Sequence, residues 1–246
     1  MSIQNSTTGQ NSKLKIKNST AKVAVVIPVY NEEKVIREVL REIQDAGYSN
    51  IIAVDDGSAD NSYEKIRAYG DGVVALRHKI NRGKGAATKT GIEAAKMLGA
   101  EIIVTMDSDG QHNPNDIEAL IEPIRNKECH VCLGSRLKNR QQMPAFKKAC
   151  NLVGNIVTWS VAGLWVCDSQ SGFRAYSRQA TALIDTRADR YEYESEIIRE
   201  IYYNELPYKE VPIEVRYTDY SMNKAEKQSI TNGFKTVYKL IWNIVS

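Results

Sequence analysis

The chain has little of what would mark several common protein classes. Its 33 lysines and arginines nearly balance 30 aspartates and glutamates, a formal net charge of +3 over 246 residues. So mild an excess gives no argument for a nucleic-acid partner. Only four cysteines are present; with no signal peptide recognised, they point to a reducing compartment. Cys129 and Cys132 have CxxC spacing, but no second pair stands at metal-site spacing. In an apparent strand they face opposite sides, so both are read as small buried hydrophobes; Cys150 and Cys167 are read as structural. No apolar run reaches the roughly 20 residues of a membrane-spanning helix. Leu152–Val166 has fifteen residues and includes Asn155, Thr158 and Ser160. No internal repeat is found. Met1–Ala21 offers almost nothing to bury and is expected to be a disordered polar tail.

What is present begins with the run EIIVTMDSDG at 101–110. Ile102, Ile103 and Val104 read as a buried strand. It ends at Asp107 and Asp109, whose i, i+2 spacing turns both carboxylates toward one spot. Two like charges so close repel unless a positive group lies between them. A hard divalent cation, Mg²⁺ or Mn²⁺, satisfies that need with oxygen ligands. The bland alternative is a helix-entry loop, with Asn113 as N-cap and Pro114 in the first turn; it leaves the two aspartates unexplained.

Two further apolar runs end in the same way. Val23–Val29 leads into Tyr30, Asn31 and Glu32, and Ile51–Val54 into Asp55, Asp56, Gly57 and Ser58. Helical segments intervene at Glu33–Ala46, where Val35, Ile36, Val39, Leu40 and Ile43 keep helical spacing, after Ser58 as a cap, and at Lys84–Leu98. Val73–Leu76 and Val131–Leu133 are additional strands, and Asn115–Arg125 a helix. This alternation predicts an α/β fold: a mostly parallel twisted sheet flanked by helices, with ligands at the C-terminal strand ends.

The segments VVIPVYNEE (25–33), VDDGSAD (54–60), NRGKGAA (81–87) and MDSDGQH (106–112), in this order, closely resemble the nucleotide-sugar domain of family 2 glycosyltransferases, the inverting type A fold. Gly134-Ser135-Arg136 and the run from Asp168 to Arg174 (DSQSGFR) are similar to the polyprenyl-phosphate and dolichyl-phosphate sugar synthases within it. The resemblance implies a catalytic domain over residues 22–228. It places Pro28, Tyr30, Glu32, Asp55, Asp56, Lys84 and Asp107 around the nucleotide sugar, the 82–85 loop on its diphosphate, and Asp107, Asp109 and Gln111 on the metal. His112 is read as a loop residue. Arg136, Ser171, Arg174 and Arg216 are the expected acceptor-phosphate residues, since arginine matches phosphate with a bidentate fork. The expected catalytic set is Asp109, Asp168 and Arg136. Glu194 and Glu196 either complement a helix dipole or touch sugar hydroxyls.

The second half carries a membrane signal. Lys138, Arg140, Lys147 and Lys148 precede Leu152–Val166, which contains Trp159 and Trp165. That segment fits either a buried helix or an interfacial one. Phe234–Val245 repeats the pattern, so residues 229–246 are expected to form an amphipathic helix facing the membrane. The expectation is a peripheral enzyme on the cytoplasmic face. Its expected substrates are a nucleotide sugar, UDP-linked glucose or N-acetylglucosamine by resemblance, and dolichyl or polyprenyl phosphate. GDP-mannose as donor and a sugar hydroxyl as acceptor remain open. For a hydroxyl, Asp168 would be the general base; for a phosphate it would orient Arg174 or the loop. A receiver-type signalling domain would need only about half this length. A nucleotidyltransferase would need a glycine-rich loop where Pro28–Asn31 stands.

Overall fold

The computed structural model describes residues 23–136 and 152–216, apart from 153, 154, 157, 161 and 191. Val23–Val29 (β1), Ile51–Asp55 (β2) and Ile102–Thr105 (β4) are buried along their whole length, as strands covered on both faces must be. With Val73–Arg77 (β3), Val131–Ser135 (β5), Arg174–Ser177 (β6) and Tyr208–Pro212 (β7) they form a seven-stranded sheet in the order β3-β2-β1-β4-β6-β5-β7. β6 runs antiparallel to both β4 and β5, while the other pairs are parallel. The register sets Thr105 opposite Arg174, so the segment before β6 arrives at the C-terminal end of β4.

Helices cover the sheet through faces that the sequence spacing dictates. Ile36–Asp45 (α1) buries Ile36, Val39, Leu40 and Ile43, and ends near Gly47 at φ +96°. It starts later than the expected Glu33, after a turn in which the N–H of Glu33 is held by Asp60 Oδ2 at 3.1 Å. Ser62–Arg67 (α2) is not capped by Ser58, whose Oγ instead accepts the N–H of Asn31 at 2.9 Å. Lys84–Met97 (α3) turns small residues to the sheet; a Cβ on Gly91 would lie 2.3 Å from Val26. Asn113 caps a short 3₁₀ turn, Pro114–Asp116, as expected, and Ile117–Arg125 (α4) follows. Arg178–Leu183 (α5) and Glu192–Tyr203 (α6) complete the helices used below. One core lies between the sheet, α1 and α4; a second gathers Val131, Leu133, Tyr176, Ile197, Ile198 and Ile201 beneath α6.

The α/β sheet is therefore as the sequence indicates, with two strands it did not reveal, β6 and β7. One geometric expectation is corrected. Cys129 precedes β5 instead of lying within it, and its sulfur is 3.4 Å from that of Cys132, both side chains buried. Burial pushes both thiols up, which keeps them protonated and unreactive. The N-terminal tail, Lys138, Arg140, Lys147, Lys148, Cys150 and the helix expected over 229–246 lie outside the described residues.

Candidate active site

The site is built at the C-terminal ends of β1, β2 and β4. Asp55 ends β2 and is wholly buried. Its Oδ2 accepts the N–H of Ser58 at 3.3 Å and pairs with Arg77 at 3.2 Å, while its Oδ1 has no partner among the described residues. A buried, unsatisfied carboxylate oxygen is an acceptor for an N–H or O–H that a ligand would bring. Tyr30, at the end of β1, is 41% exposed, and Glu32 is buried. Asp56, also expected at the nucleotide, is engaged within the chain. Its oxygens accept the N–H groups of Arg82 (3.0 Å) and Gly83 (2.7 Å) and lie 2.7 Å from His78 Nδ1. It anchors a loop.

That loop corrects a second expectation. Residues 82–85 do not offer open backbone to a diphosphate. The chain before α6 covers them: Ala86 N–H donates to Asp189 O at 3.0 Å, and a Cβ on Gly83 would lie 2.3 Å from that same oxygen. Gly85 would meet Tyr193 at 2.7 Å. The glycines permit one segment of this chain to lie on another. What the loop does contribute is the Lys84 side chain.

Lys84 Nζ lies 2.7 Å from Asp107 Oδ1 and 2.9 Å from Glu194 Oε1. Glu194 in turn pairs with Arg174 at 3.0 Å. Burial works against the charge of Lys84, but Asp107 and Glu194 outweigh it and hold its pKa above the usual lysine value. Burial also works to raise Asp107, yet Lys84 and then His112 hold it well below the usual carboxylate range. Gly172 closes the cluster from the other side, its carbonyl accepting from Thr105 Oγ1 at 2.9 Å. With Pro28, Thr88 and Tyr193 these residues line a small cavity.

Asp109 stands next to this cluster, its Oδ1 accepting the N–H of Gln111 at 3.0 Å. Burial and then the charge of Asp107 push its pKa up. A divalent cation would relieve the charge of Asp107 on Asp109, and Asp107, Asp109 and the Gln111 amide supply the oxygen donors such an ion takes. Among the described residues no group of three or more His, Cys, Asp or Glu side chains is gathered as a metal site. His112 is buried, with Nε2 3.4 Å from Asp107 Oδ2 and its ring 4.9 Å from Phe173. It is a packed neighbour of the carboxylate and not a free loop residue.

The expected acceptor residues divide. Arg174 is only 1% exposed. Its guanidinium is consumed by Glu194 and by the carbonyls of Ser169 (2.8 Å) and Ser171 (2.9 Å). In this structure it serves as a buried counter-ion to Glu194. Ser171 is buried too, its Oγ accepting from Phe173 N–H at 3.4 Å. Arg136, at the end of β5, is gripped by both oxygens of Asp168, which also accepts its main-chain N–H at 3.2 Å. Asp168 therefore orients Arg136 and not Arg174. Arg216 reaches both oxygens of Glu42 at 2.9 Å and Asn113 at 3.1 Å, away from this pair. Glu196, the other carboxylate considered for sugar contact, accepts the N–H groups of Arg187 and Ala188. Glu194, Gly172 and Asp189 are the contributors that sequence reasoning missed or misread.

The segment Leu152–Val166 is mixed: Ala162 and Val166 are buried in the core beneath α6, but several of its large apolar residues face outward. Asn155 and Thr158 are buried, Thr158 Oγ1 lying 3.0 Å from Ser195 Oγ on α6 and Asn155 Oδ1 accepting the N–H of Ser169. Leu152, Ile156, Trp159 (51%) and Trp165 (47%) are exposed, the two indoles meeting edge to face at 6.3 Å. Tyr202, itself exposed, lies against Gly163 and extends the same region. Among the described residues no helix is long and apolar enough to cross a membrane.

Comparison with known proteins follows the same lines. The family model described as Glycosyl transferase family 2 matches residues 24–183. The chain is 41% identical over 239 residues to the UDP-N-acetylglucosamine–dolichyl-phosphate N-acetylglucosaminyltransferase of Methanococcus voltae, spanning 89% of this chain and 94% of that protein. It is 30% identical over 174 residues to the undecaprenyl-phosphate mannosyltransferase of Micrococcus luteus, spanning 68% and 71%. Among solved structures, glucosyl-3-phosphoglycerate synthase from Mycobacterium tuberculosis, in complex with Mn²⁺, UDP and phosphoglyceric acid, superposes with a TM-score of 0.64 at 19% identity. That match spans 91% of this chain and 81% of the other, and shows the shared fold.

Proposed function

The chain belongs to glycosyl transferase family 2, and from that premise we propose that it transfers N-acetylglucosamine from a UDP donor to dolichyl or polyprenyl phosphate, with inversion at the anomeric carbon. The likeness to the Methanococcus voltae enzyme over nearly its whole length supports both substrates. The observation that carries the acceptor class is the Arg136–Asp168 grip. A sugar hydroxyl needs a positioned base, and Asp168 has both oxygens committed to Arg136. A phosphate monoester, with a second pKa of about 6, arrives already ionised. Its oxygen attacks the anomeric carbon as the bond from that carbon to the diphosphate breaks on the opposite face, and UDP leaves.

The roles of the remaining residues follow from their chemistry. The orphaned Asp55 Oδ1 accepts from the base or ribose, and Tyr30 and Glu32 flank that end. Asp107, Asp109 and Gln111 would hold Mg²⁺ or Mn²⁺, which neutralises the charge developing on the diphosphate when bound. Lys84, already ionised and directed at Asp107, adds positive charge on the same side. Arg136 steadies the lipid phosphate. The exposed indoles of Trp159 and Trp165 contact the headgroup region, where Trp is favoured, and the enzyme sits peripherally on the cytoplasmic face. Purified protein given a panel of UDP- and GDP-sugars with a short polyprenyl phosphate, and the lipid product weighed by mass spectrometry, tests this directly. A product formed only from GDP-mannose would replace the donor assignment.

A further inference from the structure

Asp107 has two claimants. Lys84 Nζ already sits 2.7 Å from its Oδ1, and a divalent cation would take the same carboxylate. An ammonium and a cation sharing one carboxylate repel each other, so one must yield as the other binds. The surroundings of Lys84 show where it would go. Its second partner, Glu194, is 2.9 Å away and cannot follow Lys84 far, because Arg174 pins it from behind at 3.0 Å. Arg174 is itself fastened to the carbonyls of Ser169 and Ser171. On the other side Gly172 has no side chain, and a Cβ there would lie 2.5 Å from Nζ.

We propose that Lys84 is a resident counter-ion competing with the divalent cation for Asp107, and that Glu194 is the positioning residue that retains Lys84 when the cation takes that carboxylate. The inference rests on the reading of the site as metal-assisted, and adds to it the exchange of one positive partner for another. Before the cation binds, Lys84 keeps two facing carboxylates from repelling each other. Afterwards it stays on Glu194, still charged and adjacent to the place where the diphosphate gathers charge. Arg174 has no contact with substrate in this scheme; it keeps Glu194 in place.

The test is Mn²⁺ binding by the whole chain, read from the electron paramagnetic resonance of free Mn²⁺, with and without UDP and with no acceptor. Lys84→Met, nearly equal in length, should bind Mn²⁺ roughly three- to tenfold more tightly than wild type in the absence of UDP, the scale of about 1 kcal/mol of lost competition. Glu194→Gln should bind it more weakly by a similar factor, since Lys84 then has only Asp107. The double variant separates this from the mere loss of a nearby negative charge: the Glu194→Gln effect should vanish in the Lys84→Met background. Wild-type Mn²⁺ binding with unchanged or weakened binding in Lys84→Met overturns the competition. A Glu194→Gln effect that persists without Lys84 overturns the positioning role. Wild type that binds no Mn²⁺, with or without UDP, overturns the metal-assisted reading itself.

Discussion

Gly172 lies directly against the Lys84–Asp107 ion pair: a Cβ built on it would stand 2.5 Å from Lys84 Nζ and 2.6 Å from Asp107 Oδ1. Gly172→Ala should therefore displace the pair and lower transfer by roughly tenfold or more, on the scale of one misplaced charge stabiliser. Its fold should persist. Gly47→Ala is the contrast. Nothing lies within 4 Å of a Cβ there, but φ is +96°, so it should lose about 1 kcal/mol of stability and keep its kcat. Steady-state rates and melting curves for the two variants check the distinction.

The Arg136–Asp168 pair yields a test of the acceptor. Arg136→Ala should raise the KM for polyprenyl phosphate well above any change in the KM for the sugar nucleotide. Asp168→Asn keeps a hydrogen-bonding partner for Arg136 and should retain a substantial fraction of kcat. A folded Asp168→Asn protein that binds donor normally, yet has lost roughly a hundredfold or more in kcat, would instead identify a general base and a hydroxyl acceptor.

Asp109 sets function against stability. Its folded pKa is raised by burial and by Asp107. A raised carboxylate pKa means that the ionised form opposes folding, so this residue's penalty is fully present above that pKa and is lost as pH falls through it toward the ordinary carboxylate value. Without divalent cation, Asp109→Asn should melt higher than wild type at pH 7, by roughly 2–4 °C for each kcal/mol relieved. The gain should shrink on acidification. Transfer should nonetheless fall at least about a hundredfold. Calorimetry at two pH values, beside an activity assay with chelator and with restored Mn²⁺, reads both effects.

Arg174→Met should act on folding before it acts on any substrate constant. Removing the guanidinium leaves Glu194 and the Ser169 and Ser171 carbonyls short of a buried donor, a loss of about 3 kcal/mol or more. Urea unfolding would show a lowered midpoint. A variant of undiminished stability whose only defect is a raised KM for lipid phosphate would return Arg174 to the acceptor site.

The exposed indoles of Trp159 and Trp165 predict lipid binding through this face. Trp159→Ala with Trp165→Ala should reduce sedimentation with phospholipid vesicles by several-fold while leaving the melting temperature nearly unchanged, because both side chains are about half exposed. Unaltered vesicle binding would remove this face from the membrane contact.

Much of the first half is legible because continuous apolar runs at 23–29, 51–54 and 102–104 are what strands buried on both faces require. Each ended in polar residues, and those ends do converge. The second half was harder. β6 is four residues long and opens on a buried arginine, and β7 is a sheet edge with mixed polarity; neither leaves a periodic trace. Arg174 was misread because an arginine near serines suits phosphate equally well, and only the fold reveals that its partner is Glu194, twenty residues on. Glu194 had looked like an acidic first turn of α6, which it also is. Gly83 and Gly85 suit a phosphate loop equally well in sequence, since glycine permits close approach without saying what approaches; here it is residues 188–189 and Tyr193.

The reversal of β6 also sets an order of assembly. β1 to β4 occupy residues 23–105 and form a contiguous half of the sheet, whereas Gly172, Arg174 and Glu194 are synthesised much later. In a nascent chain that has emerged only through β5, Lys84 and Asp107 are expected to lack Gly172 and Glu194, which complete their surroundings here. The desolvation of the charge cluster falls on the final docking of β6 and α6. A chain cleaved before Gly172 lacks part of this cluster and should be inert.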